Sequence, residues 1–112
     1  DVYPRLAATF AALGRAREYE SYLNELLASD AEDAGARLAL ARALAARGAS
    51  EDALAEVRHV LDREPEHLEA HATQGRILLA EGREAEVAKA HAALLDVLER
   101  GTLPAGAGDG FA

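Results

Sequence analysis

The sequence predicts an all-α fold, an α-solenoid of three antiparallel helical hairpins with six helices, and three observations predict it. Hydrophobic residues make up 50% of the 112-residue chain, yet only 4% of it is aromatic, because alanine dominates the apolar set. Alanine is the strongest helix former and lets helices approach closely. Five Val, one Ile and three Thr leave little material for strands. Third, Gly14, Gly48 and Gly82 recur at a spacing of 34 residues, and other positions keep the same offset. Phe10, Leu44 and Leu78 precede each glycine, and Leu23, Val57 and His91 follow it. The columns Leu26, Val60, Leu94 and Leu27, Leu61, Leu95 come next, and Ala31 and Pro65 mark where one hairpin passes to the next.

Each hairpin follows from local patterning. Residues 2–13 place Val2, Leu6, Phe10 and Leu13 at helical spacing, and Gly14 ends that helix because it accepts the left-handed conformation after the last turn. A second helix is expected over 16–28, with Tyr19, Leu23, Leu26 and Leu27 on one stripe. The second hairpin is expected over 33–47 and 50–63, with Ser50 as N-cap. The third runs over 65–80 and 83–99, with Pro65 in the first turn, where its missing N–H is not needed. Connections this short force neighbouring helices to run antiparallel. The hairpins divide the chain at about 1–30, 31–64 and 65–100. Residues 101–112, GTLPAGAGDGFA, have linker composition: they form either a frayed terminus or a tail whose Leu103 or Phe111 folds back onto the last helix.

This 34-residue period with a central glycine resembles the tetratricopeptide repeat, in which paired helices stack into a right-handed superhelix. The small residues at the helix crossing are Ala7, Ala41, Gly75 and Ala53; Tyr19 and Val87 depart from the Ala53 column, and Gln74 departs from the Leu6 and Leu40 column. The resemblance implies a concave surface lined by the first helix of each hairpin. Carried over position by position, that surface takes Pro4, Arg5, Ala8 and Ala12, then Leu38, Arg42 and Ala46, then Ala72, Arg76 and Ala80. Arg5, Leu38, Arg42, Ala72 and Arg76 are therefore the candidate partner-binding residues. Arg42 and Arg76 stand one repeat apart and either clamp a partner's carboxylate or pair with acids of the scaffold itself. The Lys and Asn set of the co-chaperone version is absent, so chaperone-tail binding is not implied.

The remaining composition narrows the function. A net charge of −8 argues against nucleic acid and anionic membrane surfaces as direct partners. No stretch approaches 18 uninterrupted apolar residues, so no membrane insertion by these residues is expected. There is no cysteine, hence no disulfide or thiolate metal site, which is compatible with a reducing, cytoplasmic setting. His67 and His71 have the i, i+4 spacing of a zinc pair, but Glu64, Glu69 and His91 compete as third ligand and nothing selects one, so solvated histidines at a helix edge are the better reading. His91 falls in an apolar column and is expected to be partly buried. No catalytic triad, phosphate loop or carboxylate pair has a credible setting, so neither an enzyme nor a resident cofactor is expected. The first hairpin has no capping sequence, so the edge around Val2, Leu6 and Phe10 is expected to be covered by another copy, giving a homo-oligomer.

The order of the segments DVYPRLAATFAALG, REYESYLNELLAS and AGARLALARALAARGASEDALAEVRHVLDREP is similar to the C-terminal repeats of the bacterial lipopolysaccharide assembly protein B family, over residues 1 to about 100. That resemblance implies an adaptor on the cytoplasmic face of the inner membrane, tuning lipopolysaccharide synthesis by presenting the committed-step deacetylase to a membrane-bound AAA+ protease. It also implies an N-terminal anchor upstream and a rubredoxin-like iron or zinc domain downstream of Ala112. The other reading is a tetratricopeptide module that binds a peptide or helix in another bacterial assembly or secretion complex.

Overall fold

The computed structural model describes residues 2–102, which form six helices and no strand. The helices are α1 (Tyr3–Ala12), α2 (Ala16–Ser29), α3 (Ala34–Ala46), α4 (Ser50–Arg63), α5 (Leu68–Ala80) and α6 (Glu84–Thr102). They pair as three antiparallel hairpins, and α3 packs against α1 and α5 as well as against α2 and α4. The extents of 55 × 32 × 23 Å are those of a short solenoid.

The three register glycines terminate the first helix of each hairpin. Gly48 has φ +86°, a left-handed conformation that costs an L-residue with a Cβ about 1–2 kcal/mol. After each glycine the chain re-enters a helix within two residues, so the second helix must fold back along the first.

The core lies in the middle hairpin. Helix α3 buries Ala36, Leu38, Ala39, Leu40, Ala41 and Leu44, because helices cover it on both sides. Leu23, Leu54 and Val57 are fully buried against it, each contributing about 1.5–3 kcal/mol of apolar transfer. By contrast α1 buries none of its residues completely. Leu6 and Phe10 only lean onto the core, with the Phe10 ring 5.5 Å from that of Tyr19. Of the three residues expected at an exposed edge, Val2 alone is open, at 56%.

One tertiary contact, at Ser50, and two local caps, at Asp33 and His67, set the helix starts. Ser50 does not cap α4. It is the first helical residue, and its hydroxyl donates to Glu81 Oε2 at 2.8 Å, tying the second hairpin to the third. Asp33 caps α3 by accepting from the Ala36 N–H at 3.0 Å, and His67 caps α5 through Nδ1, which accepts from the Ala70 N–H at 3.1 Å. Pro65 therefore sits in the turn before α5 and not in its first turn. Helix α6 continues to Thr102, past the expected end at residue 99 and into the glycine-rich stretch. Leu103 and Phe111 lie outside the described residues.

Candidate partner-binding face

The exposed side of the solenoid where α1, α3 and α5 line up carries two connected depressions. One lies between α1 and α3, with Tyr3, Pro4, Ala7, Tyr19 and Ala43 among its lining residues. The other lies between α3 and α5 and includes Ala45, Thr73, Ile77 and Ala80. Arg42 and Ala46 line both, so the two depressions lie side by side along the groove with Arg42 between them.

Arg42 and Arg76 converge across that groove on a single carboxylate oxygen. Glu69 Oε2 lies 3.6 Å from Arg42 Nη1 and 3.2 Å from Arg76 Nη2. Arg76 Nη2 also donates to the Thr73 hydroxyl at 3.3 Å. Glu69 stands in the first turn of α5, where the helix dipole favours a negative charge. The side chains of Arg42, Arg76 and Glu69 are 31%, 59% and 56% exposed, so water competes for every one of these contacts. Of the two sequence alternatives, the structure shows the pairing with an acid of the scaffold: Glu69 lies between both guanidinium groups.

The other expected face residues are placed elsewhere. Leu38 is 2% exposed and belongs to the core, because α3 is the central helix. Arg5 is exposed, but its register partners Ala39 and Thr73 are buried, each 1% exposed, so Arg5 does not share the Arg42 position. Ala72 is half-buried and lines a third depression, between α5 and α6, with Gly75, Leu79, Val87 and Ala90. Arg76 reaches that depression as well.

The histidines also separate. His67 is the α5 cap, whereas His71 is 8% exposed with Nε2 at 2.7 Å from the Pro65 carbonyl. His71 is therefore a tie within the hairpin junction and not a solvated helix-edge residue. His91 is exposed on α6, against expectation. Its register partners Leu23 and Val57 are fully buried because a following hairpin covers them, and no described helix follows α6. Among the described residues no group of three or more His, Cys, Asp or Glu is gathered around a common point, and no helix is long and apolar enough to cross a membrane.

Sequence reasoning missed the apolar floor of the groove. Tyr19 is 4% exposed, and its hydroxyl donates to the Tyr3 carbonyl at 3.2 Å, pinning the start of α1. Burial pushes the Tyr19 phenol up, and the nearby Arg42 guanidinium opposes that shift. The Tyr19 column holds Ala53 and Val87, so its departure from small size was the available signal.

Comparison with known proteins bears on the repeat as a whole. A family model described as tetratricopeptide repeat matches residues 10–77. No curated protein matches the chain. The match runs over more than half of the chain and coincides with the stacked hairpins seen in the structure, so the chain belongs to the tetratricopeptide repeat family.

Proposed function

We propose that this protein is a non-catalytic interaction scaffold whose groove binds an acidic segment of a protein partner, with Arg42 and Arg76 receiving a carboxylate. The observation that carries this reading is the convergence of both guanidinium groups on Glu69 Oε2. A site that holds one carboxylate has the charge and spacing to hold another. The net charge of −8 makes a two-cation site on the groove a local exception that distinguishes this face. Repeats of this family generally bind protein partners, in agreement with the open groove.

The test is selection from a random peptide display library on the wild-type protein and on Arg42→Glu with Arg76→Glu. Peptides enriched on the wild type should carry an Asp or Glu and should lose binding to the double variant while its helicity by circular dichroism is unchanged. Enrichment of peptides without acids, or binding that survives the double charge reversal, would sink the reading.

The same proposal extends to a pathway on the strength of the resemblance over residues 1 to about 100. In that form the chain is part of an adaptor at the cytoplasmic face of the bacterial inner membrane. It regulates lipopolysaccharide synthesis by presenting the committed-step deacetylase to a membrane-bound AAA+ protease. The reading frame around the chain decides it. Two Cys-x-x-Cys pairs after Ala112 and a hydrophobic anchor before Asp1 support the adaptor. A frame lacking both leaves a module of another assembly or secretion complex.

A further inference from the structure

The most exposed large apolar side chains among the described residues are Leu79 at 65%, Leu13 at 63% and Val2 at 56%. The repeat register shows how each position is used inside the stack. Ala36 and Ala70, in the Val2 column, are fully buried. Ala11 and Ala45, in the Leu79 column, line the depressions that open toward the following hairpin. Arg47, one repeat after Leu13, reaches back to Glu20 of the preceding hairpin at 2.7 Å. Glu81, one repeat further, takes the Ser50 hydroxyl of the preceding hairpin at 2.8 Å. The columns of Leu13 and Leu79 therefore serve hairpin junctions wherever a neighbour stands.

The junction between the first and second hairpins is a template for the contact that α1 of one copy would make behind α6 of another. Each residue of the first hairpin is replaced by its counterpart two repeats on, and each residue of the second by its counterpart one repeat earlier. Ala16 and Ala39 line one cavity, and their counterparts are Glu84 and Arg5, which are exposed and opposite in charge. Glu20 and Arg47 form an ion pair, and their counterparts are Ala88 and Leu13, both apolar. Ala11 and Ala43 leave the cavity between α1 and α3 open, whereas their counterparts Leu79 and Thr9 bring a larger side chain to that space. An apolar pair has become an ionic one and an ionic pair an apolar one, so the changes at the two ends compensate each other. At the second junction Arg42 and Thr73 line one depression, and their counterparts Arg76 and Arg5 are like charges. Glu69 Oε2, 3.2 Å from Arg76 Nη2, already answers the first of them.

We infer that the open α5–α6 end of one copy receives the α1 end of a second copy, so that copies stack head to tail and continue the solenoid. Leu13 packs against Ala88, Leu79 against Thr9 and Ala12, and Arg5 pairs with Glu84. Charge complementarity selects the occupant: Arg5 lies on one end face and Glu84 on the other, so each face fits the opposite end of a second copy and not its own kind. The ion pair is needed there, because an unpaired guanidinium would be costly to bury in the contact. A contact between two different faces leaves one of each free at the ends of the assembly, so growth continues past a dimer. The inference is independent of the proposed carboxylate site at Arg42 and Arg76.

The test is analytical ultracentrifugation of the whole chain from about 10 μM to about 1 mM. The average mass of the wild type should rise with concentration past that of a dimer. Arg5→Glu and Glu84→Arg should each associate at least about tenfold more weakly. An equimolar mixture of these two variants should regain the wild-type behaviour, because every contact between unlike variants then joins opposite charges. Leu13→Ser should weaken association at least about fivefold. All three positions are exposed, so circular dichroism should show unchanged helicity in each variant. A monomer throughout the range would overturn the inference and leave the end faces to another protein. A mass that levels at a dimer would overturn it by showing a symmetric contact between like faces. A mixture that associates no better than its separate variants would overturn it as well, since the copies would then meet elsewhere.

Discussion

Arg37 and His71 stand 34 residues apart and bind the same carbonyl of successive hairpin junctions. Arg37 Nη2 donates to the Ala31 carbonyl at 2.6 Å, and His71 Nε2 lies 2.7 Å from the Pro65 carbonyl. Ala31 and Pro65 are themselves one repeat apart. A carbonyl only accepts, so His71 carries its proton on Nε2 in this arrangement. Two chemically different residues thus close equivalent turns, and Arg37 adds an ion pair to Glu56 at 2.7 Å with its side chain only 15% exposed.

Removal of either tie is expected to destabilise the solenoid. Arg37→Ala should cost about 1.5–3 kcal/mol, the range for a hydrogen bond to a charged group in a partly buried setting. His71→Ala should cost about 1–3 kcal/mol, since it leaves the Pro65 carbonyl without its donor. Urea unfolding followed by circular dichroism measures both, and a midpoint unchanged from wild type would refute the role given to these residues.

Glu69 competes with any ligand of Arg42 and Arg76. Glu69→Gln should tighten the binding of an acidic peptide selected on the wild-type protein several-fold and should change stability by no more than about 1 kcal/mol, because the pairs it loses are exposed. Titration at low and at high salt separates the effect: the gain should shrink as salt rises. Unaltered affinity at low salt would show that the carboxylate does not occupy the site in solution.

Gly48→Ala forces a Cβ onto a residue at φ +86° between α3 and α4. Nothing lies within 4 Å of that Cβ, so the whole effect is backbone strain. The expected loss is about 1–2 kcal/mol with no change in the groove. Thermal melting checks the first part, and peptide titration the second.

Alkaline pH should weaken the fold through two tyrosines. Burial is the leading cause that raises the phenols of both Tyr3 and Tyr19, and at Tyr3 the Asp33 carboxylate adds to it. A raised folded-state value means that the unfolded chain loses these protons first. The stabilisation is therefore complete below pH 10, the ordinary tyrosine value, and falls as the pH rises through the folded-state values. Melting temperature measured from about pH 8 to about pH 11 should fall past pH 10, and Tyr19→Phe should flatten that fall. A profile for Tyr19→Phe that matches the wild type would remove Tyr19 from the account.

Patterning and the glycine register were enough to read six helices, their pairing and most of the core from the chain itself. Helix period and glycine punctuation are local properties, carried by residues within a few positions of each other. Their agreement across three copies made the repeat legible. Arg42 and Arg76 were legible for the same reason, as one column of the repeat.

Tertiary structure alone decided what each column does once the hairpins stack. Leu38, assigned to the open face by its register, is buried because α3 is flanked on both sides, whereas His91, assigned to the interior, is open because no described helix covers α6. Ser50 has the chemistry of a cap but spends its hydroxyl on Glu81, 31 residues away. Glu69 has no counterpart in the middle hairpin, where Gly35 occupies its column, so repeat logic gave no warning that it would sit between the two arginines. The cavity beside Ala43 depends on distances between helices that Tyr19, Tyr3 and Gly35 set together. Such distances are sums over contacts remote in sequence, and a local pattern does not contain them.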